Sequence, residues 1–198
     1  MAMTKLLALL RSTPRWQQAA RDARTAPVVV HGPHEHHSNI LPWRESGARV
    51  RAVKESGQGQ LCVRDLERVL AEEAARGALV VGSFSAASNV TGITADTGAI
   101  AALCHRYGAL ACFDYAAGGP YLAIDMHPRA RPGEDASKDA VFLSPHKFVG
   151  GPGTPGVLVL STDALARLGY APAHDVAPTV RTGPARAPPA RSRPCAPS

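Results

Sequence analysis

Four short apolar runs recur along the chain: Val28 to Val30, Leu79 to Phe84, Leu110 to Phe113 and Ala140 to Leu143. Runs of this length, compact and β-branched in the first case, read as strands buried on both faces. Between them the apolar period changes. Val63, Leu66, Val69 and Leu70 stand at helical spacing and predict a helix over Val63 to Ala75. A second helix is predicted from about Asp96 to Tyr107, and others over Thr4 to Arg11 and Trp16 to Arg24, beyond Pro14. Ala48 to Val53 alternates like a strand, and Gly156 to Leu160 reads as the last one. Strands alternating with helices predict α/β architecture.

Polar residues fall at telling places in this pattern. Asn89, Asp114 and Lys147 each follow the carboxyl end of an apolar strand. Ligands in α/β sheets bind outside those ends, so one shared site is expected.

The alternation stops near Gly169. Residues 1–168 are expected to form one domain, and 169–198, rich in Pro, Ala and Arg, a disordered tail. Arg181, Arg186, Arg191 and Arg193 lie in that tail and carry much of the formal charge of +6. No aromatic residues interleave them, so solvated arginines are expected rather than a nucleic-acid surface. Nothing approaches the roughly 20 apolar residues that span a bilayer. Met1 to Leu10 lacks a secretory cleavage pattern and reads as an amphipathic helix. The four cysteines, Cys62, Cys104, Cys112 and Cys195, form no C-x-x-C pair, which points to a reducing, cytoplasmic setting.

The richest segment is Asp139-Ala-Val-Phe-Leu-Ser-Pro-His-Lys-Phe-Val-Gly-Gly-Pro-Gly. A lysine there, partly desolvated near a strand end, becomes a nucleophilic amine. Ser144 and His146 offer donors to an anion, and the glycines allow close backbone approach. A solvated lysine in a turn accounts for the same residues. Four histidines crowd into His31-Gly-Pro-His34-Glu35-His36-His37-Ser38-Asn39. They suggest a metal site, but Ser38 stands where H-E-x-x-H needs its second histidine.

Ser-x-His-Lys after an apolar strand, followed by Gly-Pro-Gly, resembles the lysine motif of class V aminotransferases and cysteine desulfurases. The resemblance runs from about Lys5 to Leu160. It implies the large domain of a type I pyridoxal 5'-phosphate (PLP) enzyme, a mostly parallel sheet with flanking helices. It implies that Lys147 carries PLP as a Schiff base and that Ser144 and His146 bind its phosphate. Asp114, in Phe113-Asp114-Tyr115-Ala116-Ala117, matches the acid that pairs with the pyridine nitrogen. The family often has Gln where Ala117 stands, so one contact to the cofactor's phenolic oxygen is lost.

Glu35-His36-His37-Ser38-Asn39 with Pro42-Trp43 is similar to the Glu-His-His-x-Asn-x-x-Pro-Trp stretch of the selenocysteine lyase and desulfurase branch. That assigns His36 to the face of the PLP ring, as a stacking group able to move protons. Ser85-Ala-Ala-Ser88-Asn89-Val90-Thr91-Gly92 resembles the Ser-Asn-Val-x-Gly element, whose Asn contacts the phenolic oxygen and the substrate carboxylate. Asn89 is the match.

The resemblance also implies a Gly/Thr-rich phosphate loop ahead of Lys5 and a small C-terminal domain. Neither has a counterpart in the sequence, and an incomplete copy of a larger enzyme is expected. Cys195 has the wrong context for a persulfide cysteine, and Cys62, Cys104 and Cys112 are expected to be packing groups. The implied activity is desulfurase or selenocysteine lyase-like C–S cleavage on an amino-acid substrate, in a family of homodimers. A non-catalytic PLP-fold chain and a histidine-cluster metal protein are the other readings.

Overall fold

The computed structural model describes residues 2–170. Of the expected tail, Gly169 and Tyr170 are described and bond back to Ala166 and Leu165, while residues 171–198, Cys195 among them, lie outside the described residues. Six strands form one sheet: β1 Val28–His31, β2 Arg49–Ala52, β3 Val80–Ser85, β4 Leu110–Asp114, β5 Ala140–Leu143 and β6 Val157–Leu160. Their order is β2-β1-β3-β4-β5-β6. The first five run parallel and β6 is antiparallel to β5. The helices are α1 Ala2–Ser12, α2 Pro14–Ala19, α3 Leu41–Glu45, α4 Val63–Ala75, α5 Thr97–Arg106 and α6 Thr162–Arg167. The mostly parallel α/β sheet implied by the resemblance is what forms.

The period-two alternation of the strands builds a core on each face. Val28 and Val30 join Leu66, Val69 and Leu70 of α4 and Leu103 of α5. Val29, between them, faces the other way, to Leu6 and Leu10 of α1 and to Trp43. All three valines are fully buried, and burying each such side chain contributes about 1.5–3 kcal/mol.

Helix ends follow local chemistry. Thr13 caps α2 by accepting from the Trp16 amide, and Asp96 caps α5 by accepting from Ala99. The helix expected over Trp16 to Arg24 stops at Ala19. Trp16 is its one buried side chain, so the residues beyond have no apolar face to hold them. Helix α3 and a 3-10 turn at His37–Asn39 were not expected from the sequence. Both are organised around Trp43, which is wholly buried and donates from Nε1 to Ser83 Oγ at 3.2 Å.

At the outer edge of the sheet, β2 turns Arg49 and Arg51 onto α4. Both reach Glu73, whose carboxylate is fully buried, at 2.6 and 2.7 Å. Cys104 and Cys112 are buried free thiols, in keeping with packing roles, while Cys62 is half-buried.

Candidate active site

The carboxyl ends of β3, β4 and β5 open into a cavity of about 410 Å³. That volume lies within the range of about 300–1,000 Å³ common to small-molecule sites. His36, Asn89, Asp114, Ser144, His146 and Lys147 all line it. Residues far apart in sequence therefore meet because parallel strands deliver their following loops to one edge.

Asp114 is the last residue of β4 and is 8% exposed. Its Oδ1 accepts from the Ala116 amide at 2.7 Å. Burial raises its proton affinity, against the pull of that amide and of the positive charges of Lys147 and His36, and the net shift is upward. Lys147 ends a 3-10 turn, Pro145–Lys147, just beyond β5. The turn is followed by Gly150 and Gly153 at φ 76° and 88°, conformations open to glycine.

Lys147 is exposed, where the sequence suggested partial desolvation. Its short turn lies at the rim, and no described residue covers it. Ser144 precedes that turn and makes no side-chain capping bond, so its hydroxyl is free to meet a ligand.

The His36 ring has a defined tautomer when neutral. Its Nδ1 accepts from the Ser38 amide at 3.2 Å and lies 2.8 Å from Ser38 Oγ. An amide only donates, so Nδ1 is the acceptor and Nε2 carries the proton. His37 is its ring neighbour, edge-on with centroids 6.0 Å apart. His31 is buried and its Nδ1 donates to Gly32 O at 2.8 Å. Among the described residues no three His, Cys, Asp or Glu side chains gather as metal ligands. Asn89 is exposed at the cavity rim, and Ala117 lines the wall without a polar group.

Sequence reasoning passed over Ser85 and Glu35. Ser85 is the register partner of Asp114 on the neighbouring strand and lines the cavity. Glu35 accepts from both the amide and the hydroxyl of Ser85. The signal was present: a lone carboxylate just after a strand, with Asn39 one helical turn beyond it.

A nearly buried carboxylate, a lysine amine, an imidazole and an unpaired hydroxyl around one cavity match the chemistry of a phosphorylated pyridine aldehyde. The donor set fits PLP.

The fold is that of the large domain of type I PLP-dependent proteins, incomplete relative to them. The structure of mouse CSAD superposes with a TM-score of 0.62 at 25% identity, covering 84% of this chain and 37% of that one. The apo structure of a cysteine desulfurase from Thermococcus onnurineus NA1 gives 0.60 at 20% identity, over 83% of this chain and 38% of that one. The chain belongs to the class-V aminotransferase family, which matches residues 16–175. A probable cysteine desulfurase of Halalkalibacterium halodurans is 31% identical over 134 residues, 66% of this chain and 30% of that protein. The chain spans less than a third of the length of the curated relatives it matches. No described helix is long and apolar enough to cross a membrane.

Proposed function

We propose that Lys147 binds PLP covalently and that the protein acts on an amino acid, cleaving a carbon–sulfur or carbon–selenium bond in the manner of the desulfurases it resembles. The meeting of Asp114, His36 and Lys147 in one cavity is the observation that carries this reading. PLP, when bound, supplies an electron sink for a carbanion beside the amino group. Asp114 holds a proton on the ring nitrogen, and its low exposure keeps that ion pair from being screened. Ser144 and His146 bind the phosphate. His36, its Nδ1 held by Ser38, would stack against the ring and, with Lys147, would move the α-proton. Asn89 orients the phenolic oxygen and the substrate carboxylate, a duty that Ala117 cannot share. The cytoplasm and a homodimer belong to the same reading.

The test is covalent. Purified chain is given PLP, reduced with borohydride and mapped by peptide. Label on Lys147, lost in Lys147→Ala, supports the reading. A folded chain that takes no label at Lys147 sinks it. A second reading, a PLP-fold chain that binds a partner without turnover, draws support from the exposure of Lys147. A folded chain without label at Lys147 would favour it.

A further inference from the structure

One carboxyl beside the cavity gathers more hydrogen bonds than a loop residue needs. Glu35 Oε1 accepts the Ser85 amide at 2.8 Å. Its Oε2 accepts the Ser85 hydroxyl at 2.8 Å and Asn39 Nδ2 at 2.6 Å. Asn39 is 1% exposed, and its Oδ1 takes the Ser83 hydroxyl at 2.7 Å. Ser83 in turn accepts from the buried Trp43 indole. The carboxyl is thus anchored through a relay into the core. Gly32 adds a steric limit, since a Cβ there would meet Glu35 Oε1 at 3.1 Å.

Ser85 belongs to two cavities. It lines the large one, and with Glu35 it lines a second of about 20 Å³ under the loop from Gly32. That is room for one water molecule. His34 is the second titratable group on the small cavity, beside Glu35. Toward the large one the pair faces Asp114 on β4, His36 on its own loop and Lys147 across the opening. Ser83, Asn39 and Trp43 behind it do not titrate.

We propose that Glu35 is a positioning residue for Asp114, acting through Ser85. As a carboxylate, Glu35 holds the Ser85 proton away from the large cavity, so Ser85 presents an acceptor there. When Glu35 takes a proton from water in the small cavity, its own O–H donates to Ser85 Oγ. Ser85 then turns its hydroxyl proton toward Asp114. The proton affinity of Asp114 therefore follows the state of Glu35. Burial pushes the Glu35 carboxyl up to about 7, with the Asp114 charge acting the same way against the bonds from Ser85 and Asn39. The exchange falls at neutral pH. What the switch does for catalysis rests on the PLP reading above, whereas the coupling belongs to the chain alone.

Carboxyl-carbon NMR of the cofactor-free chain tests it, for the native protein, Glu35→Gln and Ser85→Ala. The Glu35 carbon should titrate with a midpoint of about 7, and the Asp114 carbon should show a step at the same pH. That step should vanish in Glu35→Gln. It should shrink in Ser85→Ala, which leaves the amide and Asn39 bonds to Glu35 in place and only the direct charge interaction between Glu35 and Asp114 to carry the step. In PLP-loaded chain the cofactor's absorption should follow pH with the same midpoint, and Ser85→Ala should diminish that shift. Glu35 titrating in the ordinary carboxylate range overturns the proposal, as does an Asp114 step unchanged in Ser85→Ala. If Lys147 takes no label from PLP, the functional reading fails and the NMR titration still decides the coupling.

Discussion

His105 Nε2, on α5, lies 2.9 Å from Oδ2 of Asp139, the residue that leads into β5 at the end of the sheet away from the cavity. The same oxygen accepts the Ala111 amide at 2.7 Å, and the other is bonded by Arg167 of α6. One buried carboxylate thus joins a strand and two helices.

Burial opposes charge on His105, but its bonds to Asp139 and Asp135 outweigh it and raise its proton affinity. A group whose folded affinity is raised contributes stability that is full below its unfolded value and is lost as pH rises through its folded value. The stability gap between native chain and His105→Gln should be about 1 kcal/mol at pH 6. It should shrink as pH climbs past the ordinary histidine range, measured as urea midpoints across pH 6 to ~9. A gap that widens with pH would show that the charged ring contributes nothing.

Glu73 is fully buried with three arginines on it, Arg49, Arg51 and Arg76. Removing one partner of a buried ion pair typically costs about 3–5 kcal/mol, because it strands the remaining charges. Arg49 and Arg51 keep some contact with water, so Glu73→Gln should cost about 3 kcal/mol by chemical denaturation. A loss under ~1 kcal/mol would mean the arginines turn outward and solvate.

The turn after Lys147 depends on a close backbone approach. A Cβ on Gly151 would lie 1.9 Å from Pro145 O, whereas one on Gly153 meets nothing within 4 Å. Gly153→Ala carries only the strain of its positive φ, about 1–2 kcal/mol. Gly151→Ala should therefore abolish PLP labelling of Lys147, while Gly153→Ala retains it in part. Equal labelling of the two variants would remove this turn from the site.

Asp114→Asn should leave Lys147 able to react with PLP but weaken cofactor retention at least tenfold, the equivalent of ~1.4 kcal/mol. Equilibrium dialysis of unreduced complexes measures it. Unchanged retention would separate Asp114 from the cofactor.

Burial raises the thiol pKa of both Cys104 and Cys112, so both should resist alkylation in the folded chain. Cys62 is half-buried and should react with iodoacetamide before either of them, as read by peptide mapping. Early labelling of Cys104 would reveal opening of α5.

The strands and long helices were legible because their signals are local. Val63–Ala75 forms with the bounds its apolar spacing implied, and the period-two pattern of Val28 to Val30 carried its own two-faced burial. Asn89, Asp114 and Lys147 were legible as polar residues after strand ends, which a parallel sheet sends to one edge, Ser144 and His146 as donors beside that lysine, and His36 only through the resemblance. Helix α3 was not legible. Its residues, Leu41–Glu45, are too few to show a period, and the burial of Trp43 against the sheet holds them.

Local pattern and motif suffice for the alternation of strands and helices, the polar residues after strand ends and the resemblance to PLP enzymes. Tertiary structure decided what depends on distance: that Lys147 stands exposed at the rim, that β6 runs antiparallel, and that Ser85 sits between Glu35 and Asp114. Exposure and proton affinity depend on neighbours that are remote in sequence, and folding alone brings Glu35 and Ser85, fifty residues apart, to 2.8 Å.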